Sequence, residues 1–295
     1  MPPSNPAAIQ PAVWRFEAIG APWQIDTASP LPAELASAVS ARIDEFDRIY
    51  SRFRADSLVS RIAKTPGTHT FPADAEALFE FYRLLYESTD GAITPLVGRA
   101  LEYLGYDAQY SLVARGEGIP TPSWDEAMSW KDSALTTYSP VVIDVGAAGK
   151  GYLADLVGGV LGDAGITDFT VDASGDIVHT GPSALRIGLE HPLDPSKAIG
   201  IATVTAGSLC ASASNRRAWG HGLHHIVDVT TGLSNTPVLA TWVVAPTGLI
   251  ADGLATALFF SNPDRLSDVF DFSWVRMLAN GRVEHSPNFE GEVFQ

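Results

Sequence analysis

From Glu34 onward the apolar residues fall at Leu35, Val39, Ile43, Phe46, Tyr50 and Phe53. Steps of three and four put them on one face of a helix. Ala77, Leu78, Phe81, Leu84 and Leu85 repeat the pattern within 73–88. Residues 13–26 (VWRFEAIGAPWQID) read instead as a strand pair or an extended segment. The stretch 107–139, rich in Gly, Ser and Pro, predicts loops and short pieces. From Val141 the character changes. Strand-like runs stand at 141–144, 168–172, 184–190, 199–205, 223–229 and 239–245, with helical patterns at 150–162 and 249–260. An Asn-Gly pair inside 274–285 (WVRMLANGRVEH) signals a hairpin between two β-prone runs. Mixed order with many antiparallel-type strands predicts an α+β fold rather than a regular βαβ array. No linker or internal repeat divides the chain. Residues 13–295 are therefore expected to form one domain, after a disordered, Pro- and Ala-rich N-terminal segment over 1–12.

Composition narrows the class. Of 295 residues, 46% are apolar, enough to bury a sizeable core. Lys and Arg number 19 against 34 Asp and Glu, a net charge of −15. With no basic patch, such a surface repels phosphate backbones and anionic bilayers. Nucleic-acid binding and membrane attachment are not expected. The single cysteine, Cys210, excludes an intrachain disulfide and suits a reducing compartment. The opening MPPSNPAAIQPAVW has no basic n-region, no apolar h-region and no lipid-attachable cysteine, so a cytoplasmic location is expected. The longest apolar region, 238–260, contains Pro246, Gly248, Asp252 and Gly253. It reads as a buried strand, a turn and a helix rather than a membrane span.

Candidate chemistry sits in a few stretches. IDVGAAGKGYLADLV at 143–157 holds Lys150 between Gly149 and Gly151. It is neither a Walker loop nor a dinucleotide fingerprint. Glycines with a lysine at a helix N-terminus suit phosphate, but an ordinary turn with a surface lysine fits as well. In IADGLATALFF at 250–260, Asp252 and Thr256 share a helix face among apolar neighbours. They read either as half of an oxygen site for a hard cation or as a helix cap and a back-bonded threonine. HGLHHIVDVTTGL at 221–233 crowds His221, His224, His225 and Asp228. Zinc, a general base and a plain surface cluster are all open there, though no H-E-x-x-H occurs. VDASGDIVHTG at 171–181 reads as a tight turn between strands. Arg216 and Arg217 are either a phosphate clamp or a solvated pair.

Taken in order, these pieces resemble the ApbE family of FAD:protein FMN transferases, from about residue 18 to about residue 262. IGAPWQI at 19–25 resembles the family's M-G-T-x-W-x-I opening, and YSRFRADSLVSRI at 50–62 its F-S-x-Y/F-x-x-D-S-x-x-S-R segment. TDGAITPLVGRALEYLGYD at 89–107 is similar to G-A-F-D-P-T-V followed by G-Y/F-D. IDVGAAGKGYLAD at 143–155 is similar to D-L-G-G-I-A/G-K-G-x-x-x-D, the most specific of the set. VDASGDI parallels N-x-G-G-D-I, HHIVDVTTG parallels H-I-I-D-P-x-T-G, and ADGLATALF parallels A-D-A-L-A-T-A-L-F. Departures stand at Ile93, Thr94, Ser174, Val229 and Thr230, and Ala211-Ser212-Ala213 replaces a T-S-G segment.

The resemblance implies a single ApbE-like, T-fold-like domain with a mixed, largely antiparallel sheet and flanking helices. It implies Mg²⁺ held by Asp252, Thr256 and the carbonyl of Gly149. FAD is the donor, and a Ser or Thr hydroxyl of an FMN-binding-domain flavoprotein is the acceptor. AMP leaves, and FMN stays on the acceptor. His225 is the first candidate base and Asp228 the second, with Lys150 stabilising negative charge. Trp23, Phe53, Gly91, Gly146, Lys150, Asp176, Arg217 and His225 are the expected FAD-binding set. FAD hydrolysis to FMN and AMP at the same site is the nearest alternative, and non-catalytic FAD binding is another.

Overall fold

The computed structural model describes residues 12–220, 222–234 and 237–294. The expected disordered segment thus lies outside the described residues except for Ala12, which opens the first strand. The chain begins with a hairpin of β1 (Ala12–Ala18) and β2 (Ala21–Thr27). Then come α1 (Ala33–Tyr50), α2 (Leu58–Ile62), β3 (Gly67–Thr70) and α3 (Ala75–Ser88). After α4 (Gly98–Tyr103) a long loop leads to α5 (Trp124–Ala127), β4 (Met128–Lys131) and β5 (Ala134–Thr137). The central helix α6 (Gly149–Asp163) precedes β6 (Phe169–Asp172), β7 (Asp176–Thr180), β8 (Leu185–Glu190), β9 (Ala198–Val204) and β10 (Gly207–Ala213). Two short strands, β11 (Ala218–Trp219) and β12 (Leu223–His224), lead to β13 (Val238–Ala245) and α7 (Gly248–Ala257). The chain closes with α8 (Pro263–Ser267), β14 (Ser273–Leu278), β15 (Val283–His285) and β16 (Gly291–Val293).

One eight-stranded sheet, ordered β1-β2-β6-β7-β10-β13-β14-β15, organises the domain, and every neighbouring pair in it is antiparallel. α6 and α7 cross on one face, with α1 and α3 outside them. Their side chains and that sheet face form the main core, around Ile143, Leu153, Val157, Val243 and Leu254. The other face of β10, β13 and β14 is covered by the small β16-β9-β8 sheet through Leu189, Val204, Leu209, Trp242 and Met277. A strand covered on both faces has no polar side to show. That is why VLATWVVA of β13 reads as a continuous apolar run, not an alternation.

α1 buries the anticipated stripe, Val39, Ile43, Phe46 and Tyr50, but stops at Tyr50 and leaves Phe53 on the following turn. Of two further expected strands, one is absent and the other is cut to two residues. Residues 141–144 run extended without joining a sheet. Val141 and Ile143 are buried in the core, and the Asp144 amide bonds the Pro95 carbonyl. An apolar run reports burial; pairing needs a free neighbour edge, and here helix α4 occupies that place. A Cβ at Gly98 would overlap the Val142 carbonyl. Residues 223–229 contribute only the two residues of β12, because the chain then turns to close the Asp228–Leu233 bridge. The expected hairpin at Asn280-Gly281 is present between β14 and β15, with Gly281 at φ 84°.

Candidate active site

The site begins where α6 and α7 touch. A Cβ at Gly151 would overlap the Gly248 carbonyl oxygen, and one at Gly248 would overlap the Gly151 carbonyl. The two glycines therefore bring the helix N-termini into backbone contact. That contact sets Asp252 of α7 against the first turn of α6, where its Oδ2 accepts the Gly151 amide at 2.9 Å. One turn further along α7, Thr256 Oγ1 donates to the Ala147 carbonyl at 3.3 Å and lies 3.5 Å from Ser212 Oγ on β10. Gly149 itself is the first residue of α6. The loop carbonyl that meets Thr256 belongs to Ala147, two residues earlier.

Lys150 leaves the same turn of α6 toward the β6–β7 hairpin. Its Nζ donates to the carbonyls of Ala173 (2.8 Å) and Ser174 (3.3 Å) and lies 2.8 Å from Asp176 Oδ2. The lysine thus ties the helix to a turn held by the positive φ of Ser174 (59°) and Gly175 (96°). Asp176 and Asp252 are 1% and 4% exposed, a depth at which a carboxylate needs partners. The one charged partner of Asp176 among the described residues is Lys150, at 2.8 Å. Burial, and then the Asp176 charge, push the Asp252 carboxyl well above the usual carboxylate range. Burial works against the charge of Lys150, but Asp176 and Asp252 outweigh it, and its pKa rises. Two buried acids thus share one lysine.

These groups line a cleft of about 930 Å³. On the opposite wall Arg52, 3% exposed at its side chain, bonds Asp144 through Nε (2.5 Å) and the Tyr106 carbonyl through Nη1 (2.7 Å). Burial would raise the Asp144 pKa, but the guanidinium prevails and holds it low. Asp144 Oδ1 in turn accepts the Gly146 amide at 2.7 Å, which shapes the loop before α6. Arg52 also covers the faces of Phe53 (4.2 Å) and Tyr106 (5.0 Å). Phe53 stacks on Tyr110 at 5.1 Å, and Tyr106 stacks on Trp219 at 5.6 Å, so this wall is aromatic. Arg217 lines the mouth, exposed and without an ion pair among the described residues. The His225 amide donates to the Arg217 carbonyl (3.3 Å), and its Nδ1 has no hydrogen-bond partner among the described residues. Burial first, and then the Arg217 and His224 charges, hold the His225 ring down at about 3.

The cleft gathers Phe53, Gly146, Gly149, Lys150, Asp176, Arg217, His225, Asp252 and Thr256 from across the chain. Three expected site residues fall elsewhere. Trp23 is 2% exposed in the core and donates to the Ala18 carbonyl (3.1 Å); the hairpin turn Ile19–Pro22 lines the cleft instead. Gly91 closes the end of α3 at φ 85°, its amide on the Tyr86 carbonyl. Asp228 faces its own loop, accepting the Thr230 and Thr231 amides at 2.8 and 3.1 Å. Of the histidine cluster, His224 binds the Ile226 amide through its ring (3.3 Å), while His221 lies outside the described residues. No group of three or more His, Cys, Asp or Glu suited to a metal occurs among the described residues. Sequence reasoning missed Arg52, Asp144, Tyr106 and Trp219. A buried arginine is visible only once its partner, 92 residues away, is placed.

An antiparallel sheet backed by two crossed helices, with an acidic, lysine-bearing cleft walled by aromatics, defines a class of ligand-binding α+β domain. The chain belongs to the ApbE family, whose model matches residues 19–275. It is similar to a FAD:protein FMN transferase of Klebsiella pneumoniae, 25% identical over 278 residues that cover 87% of this chain and 77% of that one. A FAD:protein FMN transferase of Escherichia coli is 24% identical over 264 residues, 80% of this chain and 74% of the relative. The fold matches the ApbE protein of Thermotoga maritima at a TM-score of 0.80 and 24% identity, over 94% of this chain and 97% of that one. It matches the flavin transferase ApbE of Vibrio cholerae at 0.77 and 18% identity, over 95% and 97%. No helix among the described residues is long and apolar enough to cross a membrane.

Proposed function

We propose that this protein transfers FMN from FAD to a Ser or Thr hydroxyl of an FMN-binding-domain flavoprotein, with Mg²⁺, and releases AMP. The observation that carries the reading is the convergence of Lys150, Asp176, Asp252, Thr256 and Arg217 on one cleft with an aromatic wall. The names of the relatives point the same way.

The donor set fits a hard divalent cation. The Asp252 carboxylate, Thr256 Oγ1 and the neighbouring loop carbonyls would offer it oxygen ligands, and the Asp176 carboxylate adds negative charge that the one lysine shared with Asp252 does not balance. When bound, the ion supplies Lewis acidity and charge neutralisation to a pyrophosphate. Lys150 offers a fixed positive charge beside it, already oriented by two carbonyls. Arg217, without a carboxylate partner among the described residues, would meet phosphate at the mouth. The aromatic wall suits a flat ring system.

The acceptor oxygen forms a bond to the phosphorus on the FMN side as the bridging P–O bond breaks, and AMP carries away that electron pair. The hydroxyl proton goes to His225, which is neutral and whose Nδ1 has no hydrogen-bond partner among the described residues. Its low pKa makes it a weak base in the empty cleft; polyphosphate near the ring raises it. Asp228, turned into its own loop, is not assigned this role. The test is incubation with FAD, Mg²⁺ and an FMN-binding flavoprotein. Flavin fluorescence that stays on the denatured partner in a gel supports transfer. Free FMN with an unlabelled partner means hydrolysis, and bound FAD with no product means a binding protein.

A further inference from the structure

Each of the two crossed helices holds the other by a carboxylate. Asp155, one turn along α6 from Gly151, sends Oδ1 to the Gly248 amide (2.7 Å) and Oδ2 to the Leu249 amide (2.8 Å). In return Asp252 of α7 accepts the Gly151 amide (2.9 Å). Thr247 caps the third amide of α7, that of Ile250, at 3.3 Å. The N-terminal amides that a helix leaves unbonded are thus divided between its own cap and its neighbour. The glycine contact lies between these bonds, so α7 cannot slide along α6 without breaking them together. Asp155 does not line the cleft, and nothing bound there would touch it.

We infer that Asp155 is a positioning residue, whose carboxylate fixes the axial register of α7 on α6 and thereby the places of Asp252 and Thr256 in the cleft. The inference rests on the reading of Asp252 and Thr256 as metal-holding groups. Its physical support is that the arrangement is expensive for stability. Burial outweighs the two amide donors and raises the Asp155 carboxyl to about 6. Near neutral pH the folded state therefore holds a charge it disfavours. A cap serving stability alone needs no such charge, whereas here each of two adjacent amides takes its own carboxylate oxygen. Asparagine has one acceptor oxygen and would turn an NH₂ toward the second amide.

The experiment compares Asp155→Asn and Asp155→Ala with the full-length wild type. Amide hydrogen exchange is followed without metal or flavin, Mn²⁺ binding by its paramagnetic signal, and turnover with FAD. In Asp155→Asn the melting temperature is expected within a few degrees of wild type. The Gly151 amide, which Asp155 never touches, exchanges about tenfold faster, and Mn²⁺ binds about tenfold more weakly. kcat falls about tenfold with KM for FAD within a factor of two. Wild-type Gly151 exchange and Mn²⁺ affinity in that variant would overturn the inference. A wild-type protein that binds no Mn²⁺ would instead sink the metal reading, and Gly151 exchange would still decide the register question. Should Asp155→Ala fail to fold, Asp155→Asn carries the test.

Discussion

At the scale of single residues, the site is a problem of charge. Asp176 and Asp252 are buried with one lysine between them, and the buried Arg52 of the same cleft is already paired with Asp144. Asp252→Ala is expected to lower metal-dependent turnover at least about a hundredfold, measured as AMP released with and without Mg²⁺. Activity close to wild type would remove Asp252 from the metal site. Lys150→Ala is expected to reduce kcat about a hundredfold while FAD affinity changes only a few-fold, if the lysine acts on charge that develops during transfer. Equal losses would make it a binding group. Asp155 gives a pH signature of known sign. Its folded pKa, about 6, lies above the ordinary value of 3.8 for the free side chain. Ionisation therefore costs the folded state, and stability is lost as pH rises through that window, by no more than about 3 kcal/mol. The melting temperature of Asp155→Asn relative to wild type should become more favourable between pH 4 and pH 7. A flat difference would mean the carboxyl titrates normally.

At the scale of elements, the contact between α6 and α7 depends on the absence of two side chains. Gly151→Ala places a methyl group into the Gly248 carbonyl, so the helices must separate. The expected loss is about 2–4 kcal/mol in denaturant unfolding, with Mn²⁺ affinity falling alongside. Gly159→Ala on the same helix meets nothing within 4 Å and is the control. Strong periodicity made the helices α1 and α3 legible, and Asn280-Gly281 the hairpin turn. β10 was not legible. GSLCASA is made of small residues that fit between β7 and β13 without an alternating pattern, yet it carries Ser212 to Thr256. The runs at 141–144 and 223–229 misled for the converse reason. Their apolar members Val141, Val142, Ile143, Ile226 and Val227 are buried, and burial does not require a strand.

At the scale of the whole molecule, the cleft is assembled from the β1–β2 turn, the turn after α1, the loop before α6, the β6–β7 turn, β10 and α7. Its aromatic wall predicts that FAD quenches Trp219 fluorescence, and that Phe53→Ala weakens FAD binding about tenfold in a flavin titration. Unchanged affinity would place the flavin or adenine elsewhere. From the sequence alone came the α+β class, the main helices, the ordered motifs that mark the family, and the phosphate- and cation-suited residue types at Lys150, Asp252 and Thr256. These are local properties, set by periodicity, turn chemistry and the identity of side chains within a few residues. Only the tertiary structure could assign which of those residues meet. It turned Trp23 into the core by strand alternation and Asp228 into its own loop by two amide bonds. It also paired Arg52 with Asp144, and gave Gly151 a neighbouring helix rather than a ligand as the reason for its missing side chain. Close approach between segments about a hundred residues apart follows from how the whole core packs, and no local stretch of sequence contains it.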